Sequence, residues 1–219
     1  MLTYVTFSLA YFSQPWRAVT ASHQDNLDFV ESYKPLNRDV KNLRIMLHGP
    51  VGSGKSSFIN SVESALQGRI TRRALTDTIS RGYCTKKYTA YKIHKGRDRF
   101  YSFIFNDIMG FEKMTNRGVN VEDVKLAMKG HVPDGYKFDP EVQFQDDDDD
   151  YNSCPTLDDR VHVLVCVVPA DNVSLMSPEV VKKMREVREA ASEMGIPQLA
   201  ILTKVDKAYP QLATDIKSI

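Results

Sequence analysis

The eight residues GPVGSGKS, Gly49 to Ser56, restrict what this chain can be more than any other stretch. They fit G-x-x-x-x-G-K-[ST], with Gly49, Gly54, Lys55 and Ser56 in the fixed places. Glycines let successive backbone N–H groups turn inward onto an anion, and a following helix adds its positive end to the same concavity. The lysine of such a loop reaches the terminal phosphates, and the serine hydroxyl ligates Mg²⁺. The pattern needs a strand before it and a helix after it. LRIMLH, from Leu43 to His48, is a short apolar run suited to a buried parallel strand. KSSFINSVESALQG carries Phe58, Val62 and Leu66 at steps of four, and Gly68 is a helix stop. The whole loop, with Gly49, Pro50, Val51, Gly52, Ser53, Gly54, Lys55, Ser56 and Ser57, is therefore expected to hold phosphate, with Ser56 on the metal.

Two later stretches decide which phosphate compound fits. From Thr85 to Gly110 the chain reads as two β-rich runs around the turn KGRD, ending in Asp-x-x-Gly at Asp107 and Gly110. An aspartate at a strand end can hold a Mg²⁺-bound water, and a glycine N–H three residues on can meet a γ-phosphate that only the triphosphate carries. TKVD, Thr203 to Asp206, follows the apolar run IPQLAIL. Guanine presents two donors along one edge, and the two acceptor oxygens of a carboxylate match both. Adenine presents an acceptor at one of those places, so Asp206 would face a lone pair. Lys204 can lay its aliphatic stem along the base plane. In the order phosphate loop, Asp-x-x-Gly, strand, TKVD, the cofactor expected is GTP or GDP with Mg²⁺.

These motifs resemble those of the translation-factor-related GTPases, over about Leu43 to Asp206. That resemblance implies a threonine ahead of the first hairpin strand as a further Mg²⁺ ligand. Thr85 is best placed for it, with Thr78, Ser80 and Thr89 as rivals. A closer resemblance is to the interferon-induced protein 44 and 44-like family. It rests on GPVGSGKSSFINSV, FNDIMG, KGHVPDGYKF, VHVLVCVVPAD, and the run SLMSPEVVKKMREVREAASEMGIPQLAILTKVD. It spans roughly Pro15 to Asp206, and implies an intracellular, interferon-inducible, GTP-binding protein of antiviral defence. Two departures from small GTPases bear on turnover. Phe111 stands where they place a water-orienting glutamine, and Val51 where they favour glycine, so unassisted hydrolysis should be slow. The alternative is a nucleotide-holding scaffold or self-assembly module without turnover.

Composition is that of an ordinary globular chain. Among 219 residues, 29 lysines and arginines meet 28 aspartates and glutamates, which gives no general attraction to nucleic acid or to a membrane surface. No stretch approaches the roughly 20 apolar residues of a membrane helix. Cys84, Cys154 and Cys166 are far apart and read as free thiols of a reducing, cytoplasmic compartment. Met1 to Ser13 is apolar but lacks the basic start and small-residue cleavage site of a secretory signal.

The rest reads as scaffold. NLDFVESYKP is a short helix candidate ended by Pro35, inside an N-terminal extension of residues 1–40. VEDVKLAMKG places Val121, Val124 and Met128 on one helical face. VHVLVCVV suits a central parallel strand. The helix after Ser177 and Pro178 carries Val180, Met184, Val187, Ala191 and Met194 on one stripe, up to Gly195. QDDDDDYN lacks the glycine turn of a calcium loop and is expected to be a mobile, solvated loop. His131 reads as a loop histidine and His48 as a buried structural one. The expectation is an α/β, three-layer αβα sheet of the P-loop, G-domain-like kind over residues 41–219, with one antiparallel edge strand. As written, the sequence is expected to lack the last strand and helix of such a domain. Either it is a fragment or isoform, or a second copy or another protein is expected to cover an open sheet edge.

Overall fold

The computed structural model describes residues 22–74, 87–96, 98–114 and 117–208. Five strands form one mixed sheet in the order β2-β3-β1-β4-β5. They are β1 (Leu43–His48), β2 (Thr89–His94), β3 (Phe100–Asp107), β4 (Val163–Pro169) and β5 (Gln198–Thr203). β1 runs parallel to both β3 and β4, and β4 parallel to β5, while β2 pairs antiparallel with β3. The one antiparallel pair is the hairpin around KGRD, which a short turn can close. The parallel pairs need the helical crossovers that the sequence supplies between them.

The period-two pattern of the strands sends neighbours to opposite faces. Met46 and Leu164 turn to one face, under α3 (Val121–Lys129) and α4 (Pro178–Glu193). Leu47, Phe103, Phe105, Val165 and Val167 turn to the other, beneath α2 (Lys55–Gln67), with Val30 of α1 (His23–Ser32) at its margin. Helices on both faces make the fold α/β in three layers. The local signals act where the sequence places them. Ser22 and Asp25 close a capping box on α1, which starts earlier than the run from Asn26 suggests. Ser177 caps α4 with Pro178 in its first turn, and Gly130 ends α3 in the left-handed region. Of the predicted α4 stripe, Val180, Val187 and Ala191 are buried and Met184 and Met194 partly so.

KGHVPDGYKF, from Lys129 to Phe138, acts as a brace. Tyr88 N–H donates to the Tyr136 carbonyl and Gly135 N–H to the Tyr88 carbonyl, both at 2.8 Å. Ala90 N–H donates to Asp134 Oδ1 at 2.7 Å. This segment occupies backbone groups at the start of β2, whose outer side would otherwise be an open edge. β5 lies at the other edge, where Leu199 and Leu202 are 63% and 61% exposed. The acidic run departs from expectation. It is solvated, but it is anchored at both ends rather than loose. Phe144 is buried, and Tyr151 stacks on His131 with ring centres 4.8 Å apart. Asp148 closes a turn onto the Gln145 N–H at 2.7 Å. His131 also meets the Asn152 carbonyl at 2.9 Å, so it is a structural loop histidine.

That anchoring places Asp123 of α3 in a buried position, accepting from Phe144 N–H at 3.0 Å. Burial pushes its carboxyl up to about 6, with the hydrogen bond opposing and the charges of Asp148 and Glu122 adding. The folded chain therefore keeps a proton that the unfolded chain has lost, and stability falls as pH rises from about 4 through about 6. Urea unfolding should show roughly 1–3 kcal/mol lost from this group between those limits and neutrality. Asp123→Asn keeps an acceptor for Phe144 and should flatten the profile. An unchanged profile in that variant would assign the pH dependence elsewhere.

Candidate functional site

At the carboxyl end of β1 the chain turns through Gly49, Gly52 and Gly54 at φ of 147°, 72° and 99°. A β-carbon on Gly49 would stand 2.2 Å from the Val167 carbonyl oxygen, so only glycine passes this close to β4. Lys55, first in α2, is buried and folds back over the turn. Its Nζ donates to two carbonyls of the loop, those of Gly49 at 3.3 Å and Pro50 at 3.1 Å. Ser56 Oγ donates to Asp107 Oδ2 at 2.6 Å, which ties the first turn of α2 to the end of β3. Ser57 stands exposed on the same turn.

The electrostatics are those of a desolvated pair. Burial lowers the Lys55 ammonium from its ordinary value, and the Asp107 carboxylate opposes that. Burial raises Asp107, with Lys55, the Ser56 hydroxyl and the Ile108 N–H opposing. His48, 2% exposed, is lowered to about 4 by burial and then by the Lys55 charge, so it is neutral. It packs edge-on against Phe111, in keeping with a structural role. Two buried oxygens here, Ser53 Oγ and Asp107 Oδ1, have no partner among the described residues. An unsatisfied buried group costs about 1–3 kcal/mol, which a bound polar ligand or cation would recover. Oxygen atoms of Ser56 and Asp107 suit a hard divalent cation. Among the described residues no group of three His, Cys, Asp or Glu gathers to hold a metal without further ligands. Ser56 and Asp107 could thus supply two oxygen ligands to a cation, with the rest of its shell left to other donors.

Gly110 and Phe111 close one side of the loop. A β-carbon on Gly110 would lie 2.6 Å from Val51 N. Phe111 N–H donates to the Gly49 carbonyl at 3.0 Å, and Val51 N–H donates to the Phe111 carbonyl at 3.1 Å. Phe111 is 2% exposed. It is thus a brace between the loop and the hydrophobic core, where the sequence showed only a missing glutamine.

The TKVD stretch meets the same loop from β5. Thr203 Oγ1 donates to the Ser53 carbonyl at 2.5 Å. Lys204 takes a left-handed φ of 54°, and Asp206 is exposed in the short α5 (Val205–Ala208). Thr203→Val keeps the shape of the side chain and should weaken this junction by about 1 kcal/mol in urea unfolding. No change in stability would mean that the junction is held by packing alone. The 3₁₀ turn Ala170–Leu175 packs against α5 and holds Asp171, whose Oδ1 is buried with no partner among the described residues. Local sequence gives this aspartate no role, and only its buried Oδ1 marks it. Thr85, Thr78 and Ser80 lie outside the described residues, as do Cys84 and the stretch Met1 to Ser13. Thr89 sits in the β2–β3 ladder opposite Asp107.

The structure thus brings Gly49–Ser57, Asp107, Gly110 and Thr203 to one end of the sheet, with Lys204 and Asp206 on the adjoining turn. Among the described residues no helix is long and apolar enough to cross a membrane. No family model matches the chain. It is 34% identical over 181 residues to interferon-induced protein 44 of Homo sapiens, covering 82% of this chain and 40% of that protein. It is 36% identical over 191 residues to the protein of that name from Mus musculus, covering 87% of this chain and 44% of that one. To interferon-induced protein 44-like of Homo sapiens it is 32% identical over 180 residues, covering 81% and 39%. The chain spans about two fifths of the length of these curated relatives. Over that shared stretch, the chain is homologous to proteins named interferon-induced protein 44 and interferon-induced protein 44-like.

Proposed function

We propose that this chain is a guanine-nucleotide-binding protein, taking GTP or GDP with Mg²⁺, and that it acts in an interferon-inducible immune response in the cytoplasm. The observation that carries the nucleotide reading is the junction at Thr203, whose hydroxyl reaches the Ser53 carbonyl at 2.5 Å. It sets a stretch suited to reading guanine beside a loop suited to holding phosphate. Ser53 Oγ and the loop N–H groups would take the phosphates, with Lys55 neutralising them. Ser56 and Asp107 would hold the metal, whose chemistry is to neutralise and orient phosphate oxygens. Asp206 would select guanine over adenine.

Phe111 favours a second reading of the same site. Its peptide is committed to Gly49 and Val51, and its ring to the core, so it has no group to orient a water. The chain would then hold nucleotide without useful turnover and act by assembly, with the exposed leucines of β5 as one face. Equilibrium titration with fluorescent GTP, GDP and ATP in Mg²⁺ tests the first reading. Guanine nucleotides should bind at least about tenfold more tightly than ATP, and Asp206→Ala should erase that preference. Equal affinity for ATP and GTP in the intact chain would refute the assignment of Asp206. A phosphate-release assay at several protein concentrations separates turnover from holding.

A further inference from the structure

The near-neutral net charge conceals a strongly basic cleft at the opposite end of the sheet. The parallel register sets Leu43 beside Phe103, and the hairpin sets His94 against Phe100, so this end lies at the amino ends of the parallel strands. α2 links the two ends, and its 13 residues at 1.5 Å each separate them by about 20 Å. The cleft has a volume of about 910 Å³, within the range of small-ligand sites. Arg69, Arg72, Arg73, His94, Lys95 and Arg99 line it, and Glu31 is the one acid among the described lining residues.

Two of the cations are already engaged. Arg73 Nη1 reaches the buried Glu63 carboxylate at 2.6 Å, the Lys92 carbonyl at 3.0 Å and His94 Nδ1 at 2.9 Å. Lys95 Nζ donates to the Glu31 carbonyl at 2.7 Å and lies 3.6 Å from its carboxylate. Glu63 and Glu31 are consumed by these contacts. Arg69, Arg72 and Arg99 are exposed, and among the described residues no carboxylate lies within ion-pair distance of them. The negative end of α2 offers about half a charge in compensation, which falls short of three guanidinium groups. Guanidinium forks match phosphate oxygens in pairs, and a concave wall of one sign concentrates the field. On the rim, Ile70 is 82% exposed and Phe100 48%.

We propose that this cleft binds a small anion carrying several phosphate groups, either free in solution or as the headgroup of a lipid. Arg69, Arg72 and Arg99 are the binding groups. Arg73 and Lys95, locked by Glu63 and Glu31, shape the wall between them. The site is separate from the Gly49–Ser56 loop and does not depend on the nucleotide reading.

Calorimetric titration of the full chain with inositol hexakisphosphate tests this. Arg69→Gln/Arg72→Gln/Arg99→Gln should weaken binding by at least about tenfold while leaving the thermal unfolding midpoint of the free protein unchanged. A control with the same charge loss on the solvent face of α4, Lys182→Gln/Arg185→Gln/Arg188→Gln, should bind like the intact chain. So should Lys55→Ala. Flotation with phosphatidylcholine vesicles containing about 5 mol % phosphatidylinositol bisphosphate separates the sources. Capture that inositol hexakisphosphate reverses assigns the lipid headgroup, and no capture assigns the free anion. Absence of binding by the intact chain overturns the proposal, as does an equal loss in the α4 control or a loss in Lys55→Ala. Tight binding of a short RNA that inositol hexakisphosphate does not displace also overturns it, in favour of a nucleic-acid surface.

Discussion

Lys55→Ala will lose GTP binding by at least about a hundredfold, which corresponds to about 2.7 kcal/mol, and will also destabilise the free protein. The first effect follows from removing the only ammonium set over the loop carbonyls of Gly49 and Pro50 among the described residues. The second follows from burial. Asp107 is 1% exposed, and Lys55 is the charge that offsets its desolvation. Breaking a buried ion pair from one side costs about 3–5 kcal/mol when the remaining ion has no other support. Lys55, with its Nζ on the loop carbonyls, acts on Asp107 through space rather than by a direct ion pair. Asp107 retains the Ser56 hydroxyl and the Ile108 N–H, so about 2 kcal/mol is expected here. Adding Asp107→Asn to the Lys55→Ala background should recover most of that stability and none of the binding. A double-mutant cycle by urea unfolding reads the coupling, and fluorescent nucleotide titration reads the function. Lys55→Ala that binds GTP within about threefold of the intact chain would sink the phosphate-loop reading.

Gly49→Ala will be the most destabilising single methyl addition in the loop. The added carbon would meet the Val167 carbonyl oxygen at 2.2 Å, and φ of 147° is a backbone conformation that alanine rarely adopts. The obstacle is the backbone of β4, held in the sheet by β1 on one side and β5 on the other, and it cannot swing aside as a side chain would. A cost of at least about 3 kcal/mol is expected, or about 10 °C in the unfolding midpoint for a chain of this size. Gly52→Ala is the control. Its φ is 72°, but nothing among the described residues lies within 4 Å of the added carbon, so it bears only the conformational cost of about 1–2 kcal/mol. Calorimetric midpoints for the two variants that agree within about 2 °C would show that the loop does not press on β4 as described.

Much of this arrangement is legible in local chemistry. The glycine spacing of Gly49, Gly52 and Gly54, the cap at Ser177, the stop at Gly130 and the apolar runs of β1 and β4 act over a few residues. Their consequences can be read without knowing the fold. Phe111 could not be read this way. Its importance lies in hydrogen bonds to residues some sixty positions earlier in the chain, and no local pattern announces them. The same holds for Asp134, which caps a strand end at Ala90, and for the acidic run, whose loose composition is overruled by Phe144 and Tyr151 packing at its ends. The basic cleft was invisible for a different reason. Its arginines come from two segments, after α2 and in the β2–β3 turn, and the whole-chain charge averages them away.

By itself, then, the sequence determined the element types, the α/β class, the glycine-rich loop and the family resemblance, because each rests on neighbours along the chain or on motif order. Tertiary structure decided which charges are buried together, as Lys55 with Asp107. It also decided which backbone groups the loop spends on Phe111, and which arginines of the described residues face solvent without a carboxylate beside them. Those outcomes depend on desolvation and on contacts between distant segments, and both exist only once the sheet has brought the segments together.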